Sequence, residues 1–420
     1  MSWRRSPAAL LATLTGLNLI NYVDRYMTGA VLPFVTKDFH LSGFQGGLLG
    51  MLYVVTFLVV APVAGWFADH RPRLQLAGIG VIVWTVATVS SALAPVFTIL
   101  LLARATSGVG EATYTVVTPS LLSDAYPANK RATALAIFFA ALPVGAALAY
   151  VIGGQVGAAH GWRATYLIVF LPALIMCFVV FALREPERGV HEGGVAIHEV
   201  SLRDSLKALS LRHSYLFNTA AQTVFTFTLS GMQLWVPTFL TEERHIPIAR
   251  ANTFFGILLL VSGIAGTVIG GRLGDRLARR YPSAHFTFSA FATIVAVPLI
   301  ITAIRSHSEW VLWPCTFVGL FLLFTITGPL QGAMMNVLPA NLRGRGVAVY
   351  TVSIHLFGDV LSQPLLGLAK DAMGLEWPMV GAIGLLAVSG LLLLLGRKAL
   401  VRDLRLAREE SGEIALAPTA

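Results

Sequence analysis

The sequence predicts an all-α membrane protein of twelve transmembrane helices in two six-helix pseudo-symmetric halves, with both termini cytoplasmic. Three observations predict it. Hydrophobic residues make up 56% of the 420 residues, charged ones only 12%, and mean hydropathy is +0.73, whereas a soluble chain carries roughly 25% charged residues. The apolar residues are gathered into runs of about 20 or more, long enough to cross a hydrocarbon core of about 30 Å. A pair of sequence echoes divides the runs into two sets of six.

The runs fall near 8–33, 41–68, 75–95, 97–122, 132–157 and 163–184, then 213–238, 249–274, 284–305, 309–334, 346–369 and 376–397. The one long polar stretch, "REPERGVHEGGVAIHEVSLRDSLKALSLRH", separates the sixth from the seventh. The predicted organisation is therefore a six-helix half at 1–184, a cytoplasmic linker at 185–212, a second half at 213–397 and a cytoplasmic tail at 398–420. No small-residue cleavage site follows the first run, which reads as a retained span. Cys177 and Cys315 lie inside apolar runs and read as buried packing thiols, not a disulfide.

Orientation comes from lysine and arginine placement. With the N-terminus inside, the inner loops and tail hold 22 of them and the outer loops six: Lys37, Arg163, Arg244, Arg250, Arg305 and Lys370. Arg25 and Arg104 are left within spans. The net charge of +9 then belongs to an inner surface facing anionic lipid, and calls for no nucleic-acid partner.

The echoes occupy corresponding loops. "GWFADHRPR" after the second span is matched 206 residues later by "GRLGDRLARR", and Gly50 and Gly256 match at the same offset. "PANKRATALA" from Pro127 is matched by "PANLRGRGVA" from Pro339. Six spans, a linker and six more in the same orientation read as a parallel repeat, which predicts a midplane substrate site between halves.

These residues resemble the major facilitator superfamily of transporters. Gly65, Asp69 and Arg73 match its G-x-x-x-D-R-x-G-R loop, with His70 and Pro72 departing from it, and Gly271, Asp275 and Arg276 match again. Arg104 and Gly108 in "LLARATSGVGEA" resemble its fourth-span R-x-x-x-G element, while Ala149 and Tyr150 stand where the antiporter element has Gly-Pro. More narrowly, "NYVDRY", "GVGEATY", "REPERG" and "SIHLFGDVLSQPLLG" together resemble the Spinster family. That resemblance implies movement of sphingolipids or lysophospholipids, with protons as the coupling ion and no other cofactor.

Charges within spans must be paired or face water. Asp24 and Arg25 are adjacent in the outer half of the first span, about 100° apart, so each needs a partner elsewhere. They are either a structural pair locking helices, or a protonatable switch (Asp24) with a partner or headgroup anchor (Arg25). Arg104 and Glu111 lie two turns apart on the fourth span and project toward one cavity with Tyr114 and Thr115, unless Arg104 instead bonds first-span carbonyls. Glu111 has nothing of opposite charge near it in sequence. His355 and Asp359 share a helix face at i, i+4, as a proton relay or as a brace for a broken helix before Pro364. Asn218, Gln222, Gln233 and the Phe225-Thr226-Phe227 run mark the seventh span as a weaker cavity candidate. At the cytoplasmic ends Asp69, Arg73, Asp275 and Arg276, joined by Asp124 and Arg131, fit a conformational gate.

The chain has no G-x-x-x-x-G-K-[ST] phosphate cradle, which argues against a primary pump. It has no HExxH, GxSxG or cysteine–histidine cluster, which argues against an enzyme. The expectation is a proton-coupled secondary transporter of an amphipathic lipid, working by alternating access as a monomer in a bacterial inner membrane. The alternatives are a carrier of a small organic anion or drug, or an uncoupled facilitator.

Overall fold

A computed structural model of the chain describes residues 4, 6–188 and 202–410, and every regular element among them is helical. Residues 189–201 of the expected linker and 411–420 of the expected tail lie outside the described residues. The helices are α1 (Pro7–Asp38), α2 (Gly43–His70), α3 (Arg73–Ala92), α4 (Phe97–Ala125), α5 (Ala128–Phe139), α6 (Ala141–His160), α7 (Trp162–Ala182), α8 (Leu202–Leu211), α9 (His213–Glu242) and α10 (Ile248–Ala278). They continue as α11 (Ala284–Arg305), α12 (Glu309–Thr325), α13 (Thr327–Val337), α14 (Ala340–Ile354), α15 (Val360–Met373) and α16 (Glu376–Glu410).

Three predicted spans are interrupted. The fifth breaks at Ala140 and the tenth at Ile326. In each case a proline follows three residues later, Pro143 and Pro329, whose ring opposes the carbonyl four residues back and which donates no hydrogen bond. The eleventh changes to a π-helical turn at His355–Asp359, between α14 and α15. The linker also holds α8, which the polar composition of that stretch does not announce.

Nine helices among the described residues, counting joined pieces as one, are long and apolar enough to cross a membrane. α1, α4 and α9, at 32, 29 and 30 residues, have the length but fall short in hydropathy. They are the helices that carry Asp24, Arg25, Arg104, Glu111, Asn218 and Gln222.

Contacts divide the chain into two compact units. The first comprises Met1–Val195, Gly231–Leu260 and Gln363–Leu375; the second comprises Ala196–Ser230, Val261–Ser362 and Glu376–Ala420. In the first, Leu14, Leu17, Trp84, Tyr114, Leu121 and Phe138 form a fully buried core. Its helices approach through small residues, as membrane helices do. A Cβ on Gly110 of α4 would stand 2.5 Å from the carbonyl oxygen of Gly80 on α3, and one on Gly108 would collide with Tyr53 and Thr56 of α2. α4 is thereby held at backbone contact with both neighbours, which sets the height of Arg104 and Glu111. Gly161, at φ 82°, ends α6 and allows the immediate start of α7.

In the second unit, Gly396 of α16 admits Phe217 and Phe286. Thr228 and Ser389 bind carbonyls across helices, at Ala382 and Ala221. The fully buried Asp403 accepts from Ser214 N at 2.8 Å and Ser214 Oγ at 2.7 Å, at the N-terminus of α9. Cys177 is buried and Cys315 half-buried, both as free thiols.

Candidate functional site

Buried charges of the first unit converge from α1 and α4, with a hydroxyl partner each from α2 and α3. Asp24 is fully buried and its Oδ2 accepts from Arg104 Nη1 at 2.8 Å, while Oδ1 accepts from Thr88 Oγ1 of α3 at 3.1 Å. Asp24 on α1 thus pairs with Arg104 three helices on, in α4, not with its neighbour Arg25. Among the described residues it is Tyr114, not Arg104, that reaches an α1 carbonyl, its hydroxyl donating to Leu14 O at 2.5 Å. Tyr114 therefore points into the core and leaves the cavity constellation expected around Glu111. The reason is steric: Gly110 brings α4 against α3, so the Tyr114 face turns inward.

Glu111 is also buried. Tyr53 of α2 donates its hydroxyl to Glu111 Oε2, and Oε1 has no hydrogen-bond partner among the described residues. Arg25, half-buried, lies with its guanidinium 5.3 Å from the centre of the Tyr53 ring, and Arg104 lies 5.7 Å from the same ring. Among the described residues Arg25 makes no ion pair. Tyr22 and Tyr26 are stacked beside it at 6.5 Å, and Tyr26 meets Tyr150 at 6.5 Å. Tyr53 is the hub, and sequence reasoning missed it. The signal was a single phenol in the otherwise apolar stretch "MLYVVTFLVV".

In the second unit His355 Nδ1 meets Asp359 Oδ2 at 2.5 Å, spanning the π-helical turn. Gly358 within that turn lies against Thr226 and Phe227 of α9, where a Cβ would stand 3.1 Å away. π-turns of this kind recur at functional sites. Asn218 donates to Leu330 O at 3.2 Å and Gln222 to Tyr350 Oη at 3.3 Å. The two side-chain carbonyls, one turn apart, are left without partners. Gln233 falls in the first unit, where its backbone carbonyl accepts from Tyr150 at 2.7 Å.

The predicted gate residues divide sharply. Arg73 is buried, with Nη1 at 2.6 Å from Asp124 and Nε at 3.1 Å from Glu185. Arg188 donates to the carbonyls of Ala68, Asp69 and Arg71 at 2.7–2.8 Å. Asp69 enters through its backbone, its carboxylate being exposed, and Arg131 is half-buried on α5. Asp275 and Arg276 are both exposed. Glu185 and Arg188, from the "REPERG" segment, were not foreseen as gate partners.

The other end of the first unit is a tight seam. Asp371 accepts from Gly43 N at 2.6 Å and Phe44 N at 3.2 Å, capping the N-terminus of α2. Gly43 and Gly367 are in backbone contact that admits no Cβ on either. Trp235 Nε1 donates to Gln363 O at 2.9 Å, Asn252 Nδ2 to Ala30 O at 2.8 Å, and Lys370 pairs with Glu242 at 2.9 Å. At the same end Asp38 accepts from Arg163 at 2.6 Å and Trp162 at 3.1 Å. The Arg163 hydrogen bond, then that of Trp162, holds the Asp38 carboxyl below its ordinary range. Among the described residues no group of three or more His, Cys, Asp or Glu is placed to hold a metal.

Comparison with known proteins agrees with this architecture. A family model described as Major Facilitator Superfamily matches residues 14–358. Protein spinster of Drosophila melanogaster is 27% identical over 380 residues, covering 88% of this chain. The chain spans 63% of the length of that fly protein. The sphingosine-1-phosphate transporter SPNS2 of Danio rerio is 27% identical over 389 residues, covering 88% of this chain and 77% of its own. Among solved structures, a bacterial homolog of the human lysosomal transporter Spinster, in an inward-facing and unoccupied conformation, superposes with a TM-score of 0.85 at 20% identity. That match covers 94% of this chain and 98% of the other. A multi-pass helical membrane protein similar to the Spinster proteins, and a transporter rather than an enzyme, this chain belongs to the Major Facilitator Superfamily.

Proposed function

We propose that this transporter moves an amphipathic anion, of the phosphorylated sphingoid or lysophospholipid kind, by alternating access coupled to protons. The observation that carries the reading is the Glu111–Tyr53–Arg25 group. A carboxyl held by a phenol can keep that contact in either protonation state, because a hydroxyl both donates and accepts. Glu111 Oε1 is left open to receive the proton. Arg25 is a guanidinium that lies against the Tyr53 ring and makes no ion pair among the described residues, and a fork of five donors of that kind suits a phosphate or carboxylate head. Asp24, tied to Arg104 and Thr88, fixes the register of α1 against α4 and responds when either arginine takes up an anion. His355 and Asp359 form the corresponding relay in the second unit. That one relative, SPNS2 of Danio rerio, is a sphingosine-1-phosphate transporter supports the substrate class.

In this reading α1, α4 and α9 also cross the membrane, which makes twelve spans, with both termini cytoplasmic in a bacterial inner membrane and the monomer as the working unit. Their low hydropathy is then the expense of carrying the site. The Asp371–Gly43 seam is the closed outer gate, and Arg73–Asp124–Glu185 braces the inner end.

The test is flux in proteoliposomes under an imposed pH gradient, with sphingosine phosphate, a lysophospholipid and a small organic anion as substrates. Wild type is expected to move the lipid only with the gradient. Glu111→Gln is expected to abolish that dependence while the protein stays folded. Anion flux without lipid flux, or an unchanged gradient response in the variant, would overturn the proposal.

A further inference from the structure

The outer loops hold only six lysines and arginines, yet two of them line one cavity. It has a volume of about 420 Å³ and lies within the first unit. Its walls come from the last turns of α1, the loop after it, the end of α9, the start of α10 and α15. Its lining is apolar at Pro33, Phe34, Leu41 and Ile248 and charged at Lys37, Lys370 and Glu242. Lys37 is exposed and makes no ion pair among the described residues. Lys370 is held by Glu242 at 2.9 Å, above the Trp235 ring at 5.6 Å. The hydroxyls of Thr36 and Thr241 are spent on carbonyls of their own helices, Leu32 and Pro237. Polar recognition in this cavity therefore falls to the ammonium groups.

A lining that combines apolar residues with two cations, one of them paired with a solvent-exposed carboxylate, matches a single-chain amphiphile with an anionic head. We infer that this cavity binds such an amphiphile, its phosphate or carboxylate taking Lys37 and displacing Glu242 from Lys370, with the first carbons of its chain against Phe34 and Ile248. The displaced bridge belongs to the seam itself, one residue from Asp371. Headgroup capture therefore loosens the closure between α9 and α15 at the mouth. This deepens the transport reading by adding a headgroup station on the outer side, and it rests on that reading only for the station's place on the exit path.

The test is calorimetric titration of the full chain in neutral-lipid nanodiscs with dodecyl phosphate, below its micelle concentration. Dodecylphosphocholine and inorganic phosphate serve as controls. Lys370→Gln is expected to weaken dodecyl phosphate binding roughly tenfold, about what one charge-assisted hydrogen bond contributes. Lys37→Gln/Lys370→Gln should weaken it further, and the lysine-to-arginine pair should retain it. Glu242→Gln should tighten binding several-fold by removing the competing anion. Dodecylphosphocholine and inorganic phosphate should bind weakly, the first for its compensated charge and the second for want of a chain.

Nanodiscs containing phosphatidic acid separate the two sources of the ligand. Suppressed titration there would make the occupant a bilayer lipid, and unsuppressed titration would make it an incoming amphiphile, both on the same lysines. Unchanged binding in the double glutamine variant, or equal binding of dodecylphosphocholine, would overturn the assignment. Lysine-dependent binding without lipid flux in proteoliposomes would sink the transport reading alone. Normal flux with lysine-independent binding would sink the cavity alone.

Discussion

The two halves carry the same loop motif and each has a buried acid, but they spend their charges differently. In the first half the charges tie elements together. Asp24–Arg104–Thr88 joins α1, α4 and α3, and Arg73–Asp124–Glu185 joins α3, α4 and the segment after α7. In the second half His355 and Asp359 pair within one stretch of chain, and the loop-motif charges Asp275, Arg276 and Arg279 stand exposed. A tie between elements there, Asp403 on Ser214, lies away from the repeated loop. The difference teaches that a sequence repeat copies scaffold positions without copying their partners. A charge locks helices only where another element delivers a counter-charge to a dry place.

The largest break in this comparison would come at Arg104. Arg104→Met leaves Asp24 buried with only the Thr88 hydroxyl, and removing one partner of a buried pair costs about 3–5 kcal/mol. Thermal unfolding in detergent should show that loss, and Asp24→Asn combined with Arg104→Met should recover much of it. A mild single variant would mean that the first half is not locked by charge.

Next comes the loop pair. Arg73→Ala abandons two carboxylates and should cost about 2–3 kcal/mol. Arg279→Ala, at the exposed position 206 residues on from Arg73, should stay within about 0.5 kcal/mol. Equal losses in the two variants would erase the asymmetry.

In the eleventh span, His355→Ala removes a half-buried hydrogen bond and should cost about 1 kcal/mol, with the fold otherwise kept. A loss as large as that of Arg104→Met would show the π-turn pair to be a lock as well.

The smallest effect is at the Asp38–Arg163 corner. Because the folded Asp38 carboxyl sits below its ordinary range, its stabilisation is present above the unfolded-state range and is lost as pH falls through the lowered one. Both side chains of the Asp38–Arg163 pair are over 40% exposed, so solvent and salt screen it. Asp38→Asn should flatten the acid limb of the melting-temperature profile slightly and lower its neutral plateau by a small, pH-independent amount, the two proteins converging at low pH.

Much of this was legible before the structure. Apolar runs mark helices wherever they bury or face lipid, and proline positions explain the breaks at Ala140 and Ile326 in retrospect. The intramembrane charges were visible because each is rare and costly in that setting. Their partners were not visible. Asp24 pairs with Arg104 at a separation of 80 residues, and nothing in local spacing encodes that. Tyr53 hid as an ordinary aromatic residue, and Asp371 as a loop acid. Glu185 and Arg188 were read as linker, because a charged segment looks the same whether it is solvated or docked.

The sequence by itself determined an all-helical membrane chain, its internal repeat and the few positions where charge enters apolar helices. Those properties follow from hydropathy and periodicity, which are local and additive along the chain. Only the tertiary structure decided which charges neutralise one another, which loop copy is braced, and that Gly43 and Gly367 close a seam under Asp371. Ion pairs and backbone contacts of that kind depend on distances of a few ångströms between residues far apart in sequence. Those distances exist only once the helices have packed.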